Sequence, residues 1–250
     1  MSVALYEFPL SEKVRNYLRL EQLFAQLHEA KSAQSDYQYL HFLEILFTLL
    51  DLIDRLDLRT DFLRDIDSHE KKLVLWSQHP DIDDKALEEA IQNLHVLSSQ
   101  IKQNKKLGAS LREERFLSSI RQRFSIPGGV NSFDLPALFC WLKQDNEPKL
   151  ADMKNWIDQL KLVDNALAMM LAYLREKSRF QTLECKTGFY QGSVEEKLEL
   201  VRIKIDNSDG IYPVVSGSRN RYGVKFMRLH ANESGSTAVT TRVTFQLACG

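Results

Sequence analysis

The spacing of apolar residues changes once along this chain, near Phe180, and that change limits the folds open to it. Before it, apolar side chains recur at helical intervals. Val14, Tyr17, Leu18 and Phe24 mark one face of a helix that begins at Glu12 behind a Ser11 cap, and Leu20, Leu23 and Leu27 widen the stripe. The same spacing predicts helices over 35–56, 60–77, from an Asp84 cap to Gly108, 110–124, 133–143 and 150–177. After Phe180 the period falls to two: KLELVRIKID, IYPVVSG, RYGVKFMRL and TRVTFQLACG all alternate. SDG before Ile211 and NESGS before Thr237 are turn signals, so these strands are expected to pair antiparallel through short loops. The N-terminal VALYEF alternates as well and is read as a further strand that ties the two ends of the chain together. The expectation is an α+β fold. A helical domain spans 10–178, and a small antiparallel β domain is formed by 179–250 with 1–9.

Composition narrows the function. At 250 residues with 44% hydrophobic content, the chain has enough apolar surface to bury a core. A net charge of -1 argues against a general nucleic-acid coat protein, so any electrostatic recognition must come from a local patch. Cys140, Cys185 and Cys249 are widely spaced and form no CxxC pair, which points to reduced thiols and not to a zinc site or a disulfide framework. Cys140, beside Trp141, is read as a small core residue. The most apolar run, Leu40 to Leu58, is interrupted by Glu44, Asp51, Asp54 and Arg55; a buried helix is expected there, not a membrane span. The N-terminus lacks the basic-then-apolar pattern of a signal peptide.

A local patch does exist. SRNRYGVKFMRL carries Arg219, Arg221, Lys225 and Arg228, and no Asp or Glu occurs from Gly210 to Asn232. In a strand, Arg219, Arg221 and Lys225 share one face, while Tyr222, Val224 and Phe226 point to the core. Gly223 leaves a gap in the basic face where another backbone could approach. By strict alternation Arg228 falls on the apolar side, which places it at the strand end. The plain alternative is charge that solubilises a strand or discourages edge pairing. Such charge is usually mixed in sign, and here it is not. A second cluster, Arg112, Arg115, Arg121 and Arg123, reads equally well as a charged helix face with weak local ion pairs. No GxSxG, HExxH or GxxxxGK[ST] motif occurs, and His41 and His69 have no metal-pairing partner one turn on. Neither a catalytic residue nor a metal ligand or cofactor is expected, and the chain is not read as an enzyme.

The blocks YEFPLSEKVRNYLRLE, LREERFLSSIRQRFSIPGGVNSFDLPALFCWL, GFYQ and RYGVKFM with the later FQLAC resemble ZapD, the family of Z-ring-associated bacterial division proteins. The likeness runs over essentially the whole chain. It implies a helical domain and a β domain, a homodimer, and no catalysis. It also implies binding to the C-terminal peptide of the tubulin-like protein FtsZ, with cross-linking and bundling of FtsZ protofilaments in the cytoplasm at the midcell division site. Neither a membrane nor a nucleic-acid partner is implied. By the same resemblance, Arg221, Lys225 and Arg55 match positions of the peptide pocket, and Arg19 and Arg115 match further basic positions used in binding FtsZ. Arg219 joins them through its place on the strand. The expected site is a groove with the basic strand as one wall and Arg55 opposite. Two departures stand out: Phe139 occupies a place where some members carry His, and Lys225 one where some carry Arg, which costs the bidentate fork. Two rivals remain. A nucleic-acid module would interleave aromatics on the basic face, yet Tyr222 and Phe226 lie opposite it. An unrecognised enzyme would show a pocket of perturbed titratable groups.

Overall fold

A computed structural model describes residues 3–76, 84–194, 197–218, 220–230 and 235–250. The chain forms two compact units, one of Met1–Leu18 with Leu171–Gly250, the other of Arg19–Met170. Among the described residues the helices are α1 (Glu12–Ala30), α2 (Asp36–Arg55), α3 (Leu58–Trp76), α4 (Asp84–Gln103), α5 (Ala109–Glu113), α6 (Arg115–Phe124), α7 (Pro136–Leu142) and α8 (Asn146–Glu176). Helices followed by antiparallel strands is the class the spacing predicts. The Asp84 side chain, Pro80 and the turn residues 232–234 lie outside the described residues.

The helical unit is organised around α2. Ser35 caps it with a reciprocal box: its hydroxyl accepts from the Gln38 backbone N–H, and the Gln38 side chain accepts from the Ser35 N–H at 3.1 Å. Nine of its side chains are buried, which accounts for the run that looked most apolar in sequence. No described helix is long and apolar enough to cross a membrane. Trp141 and Trp156 pack with Tyr39, Phe42 and Phe116. Lys149 is buried beside this cluster; its ammonium donates to the Leu142 carbonyl at 2.9 Å and sits 4.3 Å from the Tyr39 ring centre, so the charge is both hydrogen-bonded and covered.

The predicted helix over 110–124 is two helices. Glu114 is extended (φ -62°, ψ 126°), and its carboxylate accepts the Leu117 N–H at 2.6 Å, ending α5 and starting α6. The helix expected over 133–143 begins later, at Pro136, whose fixed φ suits a first turn. The next begins earlier than expected, at Asn146, because Pro148 is tolerated within a first turn. Cys140 is exposed, not a core residue: α7 buries Leu138, Trp141 and Leu142 on its other side.

The β unit holds β1 (Val3–Pro9), β2 (Gln181–Cys185), β3 (Phe189–Ser193), β4 (Leu200–Asp206), β5 (Ile211–Gly217), β6 (Arg221–Leu229), β7 (Ser236–Ala238) and β8 (Val243–Cys249). One sheet runs β1-β4-β8-β2; the other runs β3-β6-β5, with β7 also paired to β6. Among the described residues every pairing is antiparallel, and the N-terminal strand joins the first sheet through β4, as the alternation of VALYEF predicts. The inner faces meet in one core, with Val201, Ile203, Ile205, Phe245 and Leu247 against Tyr222, Val224 and Phe226. Arg175 ties the last turn of α8 to β1 through a bidentate pair with Glu7, at 2.8 and 2.5 Å.

A candidate cationic binding face

Core packing fixes which way β6 faces. Tyr222, Val224 and Phe226 are buried, so Arg221, Gly223 and Lys225 lie on the outer side, and Arg221 and Lys225 are exposed. Arg228 is exposed at the strand end, where the alternation places it. Neither Arg221 nor Lys225 has an ion pair or side-chain hydrogen bond among the described residues. The four strands of this sheet read FYQGS, IYPVVSG, RYGVKFMRL and STA: three cations and no Asp or Glu. Arg219 lies outside the described residues.

Register supplies the neighbours. Lys225 stands between Phe189 on β3 and Val214 on β5; Gly223 between Gln191 and Ser216; Arg221 beside Ser193. Phe189 is 51% and Val214 45% exposed, so both show apolar surface on the cationic face. The gap expected over Gly223 is filled: a Cβ there would lie 3.3 Å from the Phe189 ring. That corrects two expectations. The space above Gly223 holds a side chain, not room for a foreign backbone, and an aromatic does stand on the basic face, contributed by a strand that alternation had not revealed. β2, β3 and β7 all went unread. β3 is only five residues long and puts an aromatic on each face, with Phe189 outward and Tyr190 inward, so it lacks an alternation signal.

Beneath the face, burial pushes the Tyr222 phenol far above its ordinary range, and hydrogen bonding to Cys249 and Tyr190 adds to this. Burial likewise raises the Cys249 thiol. Both stay neutral near pH 7, so Cys249 is not an activated nucleophile and the charge of this face comes from its arginine and lysine.

The other predicted residues sit on the helical unit. Arg55 is the last residue of α2, exposed, in a position where a cation complements the helix dipole. Arg19 is exposed on α1. Arg115 is exposed at the first position of α6, where the dipole opposes a cation. The cluster around it divides cleanly. Arg112 pairs with Asp54 and Arg121 with Asp51, both on α2, and Arg123 pairs with Asp134, so these three are neutralised as the plain reading holds, but by tertiary ion pairs and not by the local pairs expected along one helix face. Arg115 has no ion pair among the described residues. A cleft of about 520 Å³, where His28 Nε2 lies 2.7 Å from Asp164 Oδ2, is lined by none of the predicted site residues. Among the described residues no group of three or more His, Cys, Asp or Glu is placed to hold a metal.

Comparison with known proteins gives one consistent result. Residues 18–225 match the family model described as ZapD, cell division protein. The chain is 39% identical over 244 residues to the cell division protein ZapD of Idiomarina loihiensis, covering 98% of this chain and 95% of that one. It is 37% identical to the Photobacterium profundum protein of the same name, covering 97% of each chain. Over 248 residues it is 36% identical to that of Vibrio parahaemolyticus, covering 99% of each.

Proposed function

The chain belongs to the ZapD family of cell division proteins, and from that premise we propose that it binds the C-terminal tail of FtsZ and, as a homodimer, cross-links FtsZ protofilaments into the bundles of the Z-ring. The observation that carries this reading is the outer face of β6, where Arg221 and Lys225 are exposed, with no ion-pair partner among the described residues, in a sheet whose described strands contain no acid. An acidic tail satisfies that charge. Arg221 offers a planar fork for a carboxylate, while Lys225 acts as a point charge. Arg55, Arg19, Arg115 and Arg219 supply further cations in this reading. A short tail that orders on binding gives modest affinity at one site, since ordering offsets much of the contact energy. Two sites on a dimer then act through effective concentration along a filament, where tails are dense. No bond is made or broken in such a role, so it needs neither catalysis nor cofactor, and it belongs in the cytoplasm at midcell.

The placement of Phe189 beside Lys225 favours one alternative, a platform for single-stranded nucleic acid, in which bases stack on an aromatic next to cations. Low-speed pelleting of FtsZ polymers tests the main reading. The protein is expected to bring FtsZ into the pellet, and Arg221→Glu to lose this with helix content and sedimentation coefficient unchanged. Normal bundling by Arg221→Glu would sink the assignment. Suppression of pelleting by an oligonucleotide competitor at moderate salt would favour the alternative.

A further inference from the structure

The outer face of the second sheet is graded, and its cations occupy only part of it. Pairing arranges it in rows. Ser193 with Arg221 comes first, then Gln191, Gly223 and Ser216, then Phe189, Lys225 and Val214. Ala238, Met227 and Tyr212 follow, and finally Ser236 with Leu229. The Arg221 end is polar and cationic. The Leu229 end is apolar, with Leu229 63% exposed and Met227 and Tyr212 partly so. Lys225 marks the boundary, flanked by two half-exposed apolar side chains. At roughly 3.4 Å per residue, the eight steps from Arg221 to Leu229 span about 27 Å, the length of an extended peptide of about eight residues.

A face built only to repel other sheet edges does not need this apolar half, and exposing such a patch favours association. Resting on the reading that this face takes the FtsZ tail, we propose that Phe189 and Val214, continued by Met227, form the apolar seat of that site. They receive hydrophobic side chains of a peptide whose carboxylates are held by Arg221 and Lys225. Charge complementarity selects the occupant: an acid-free sheet face with unpaired cations calls for a peptide carrying both carboxylates and apolar side chains. Phe189 also covers Gly223 and so sets the floor height between the two cations. Affinity then has two separable parts, one that falls with salt and one that does not.

Fluorescence anisotropy of a labelled FtsZ tail peptide at two salt concentrations separates them. Phe189→Ser is expected to weaken binding about tenfold at both concentrations, leaving the salt dependence as in the parent protein, because it removes buried apolar contact and no charge. Arg221→Glu is expected to lower the salt dependence and to remove most of the binding. Val214→Thr keeps shape and β-branching on an exposed strand position and so guards against loss of fold; a smaller weakening of the same kind is expected. A tail peptide with its apolar residues replaced by serine is expected to bind the parent protein and Phe189→Ser equally. Should Phe189→Ser and Val214→Thr bind as the parent protein does while Arg221→Glu fails, the apolar seat is wrong and the tail site stands. Should the folded parent protein bind no tail peptide, the tail reading fails and the seat goes with it.

Discussion

At the scale of residues, charge is treated in two ways. Glu199 shows the structural use. Burial alone would raise its carboxyl, but Lys13 at 3.4 Å and Lys177 at 3.1 Å outweigh that and hold it below the ordinary value of 4.5. A lowered carboxyl means the ionised form is favoured in the folded state. Its contribution to stability is therefore full above about pH 4.5 and is lost as pH falls through the lower folded value. Glu199→Gln is expected to be less stable than the parent protein at pH 7, with the gap narrowing at pH 3; urea unfolding midpoints at the two pH values check this. Arg221 and Lys225 show the other use: exposed cations given no partner among the described residues, on a face without acids. Their charge is left available to a ligand.

At the scale of elements, the break at Glu114 matters most. It turns one predicted helix into two and brings Arg115 to the exposed start of α6. Removing the cap with Glu114→Ala is expected to cost about 1 kcal/mol, read as a lowered melting temperature, with the fold retained. Sequence spacing revealed α1, α2 and the four longer strands β4, β5, β6 and β8, because each carries enough turns or alternations to show its period. It did not reveal the split at Glu114, since LREERFLSS keeps its apolar spacing across the break and the cap is a matter of one backbone angle. Nor did it reveal β3. The basic face of β6 could be read from parity within one strand, whereas Phe189 beside Lys225 depends on register between strands 36 residues apart, which parity along a single strand does not encode. The exposed cations of β6 were thus legible, whereas Phe189 and Val214 as their neighbours were not.

At the scale of the whole molecule, the account joins a family role in cell division to one surface of the β unit. In that account a second copy of the chain converts tail binding into cross-linking. Everything depends on where the tail sits. Site-specific photo-cross-linking measures this most directly: a benzophenone side chain is placed at Gln191, central on the cationic face, and in a second protein at Thr244, exposed on the outer face of the other sheet. Each is irradiated with FtsZ tail peptide and the adducts are counted by mass spectrometry. Capture at position 191 and not at 244, abolished by Arg221→Glu, is the predicted result. Equal capture at both positions, or capture at 191 that survives Arg221→Glu, would contradict the account.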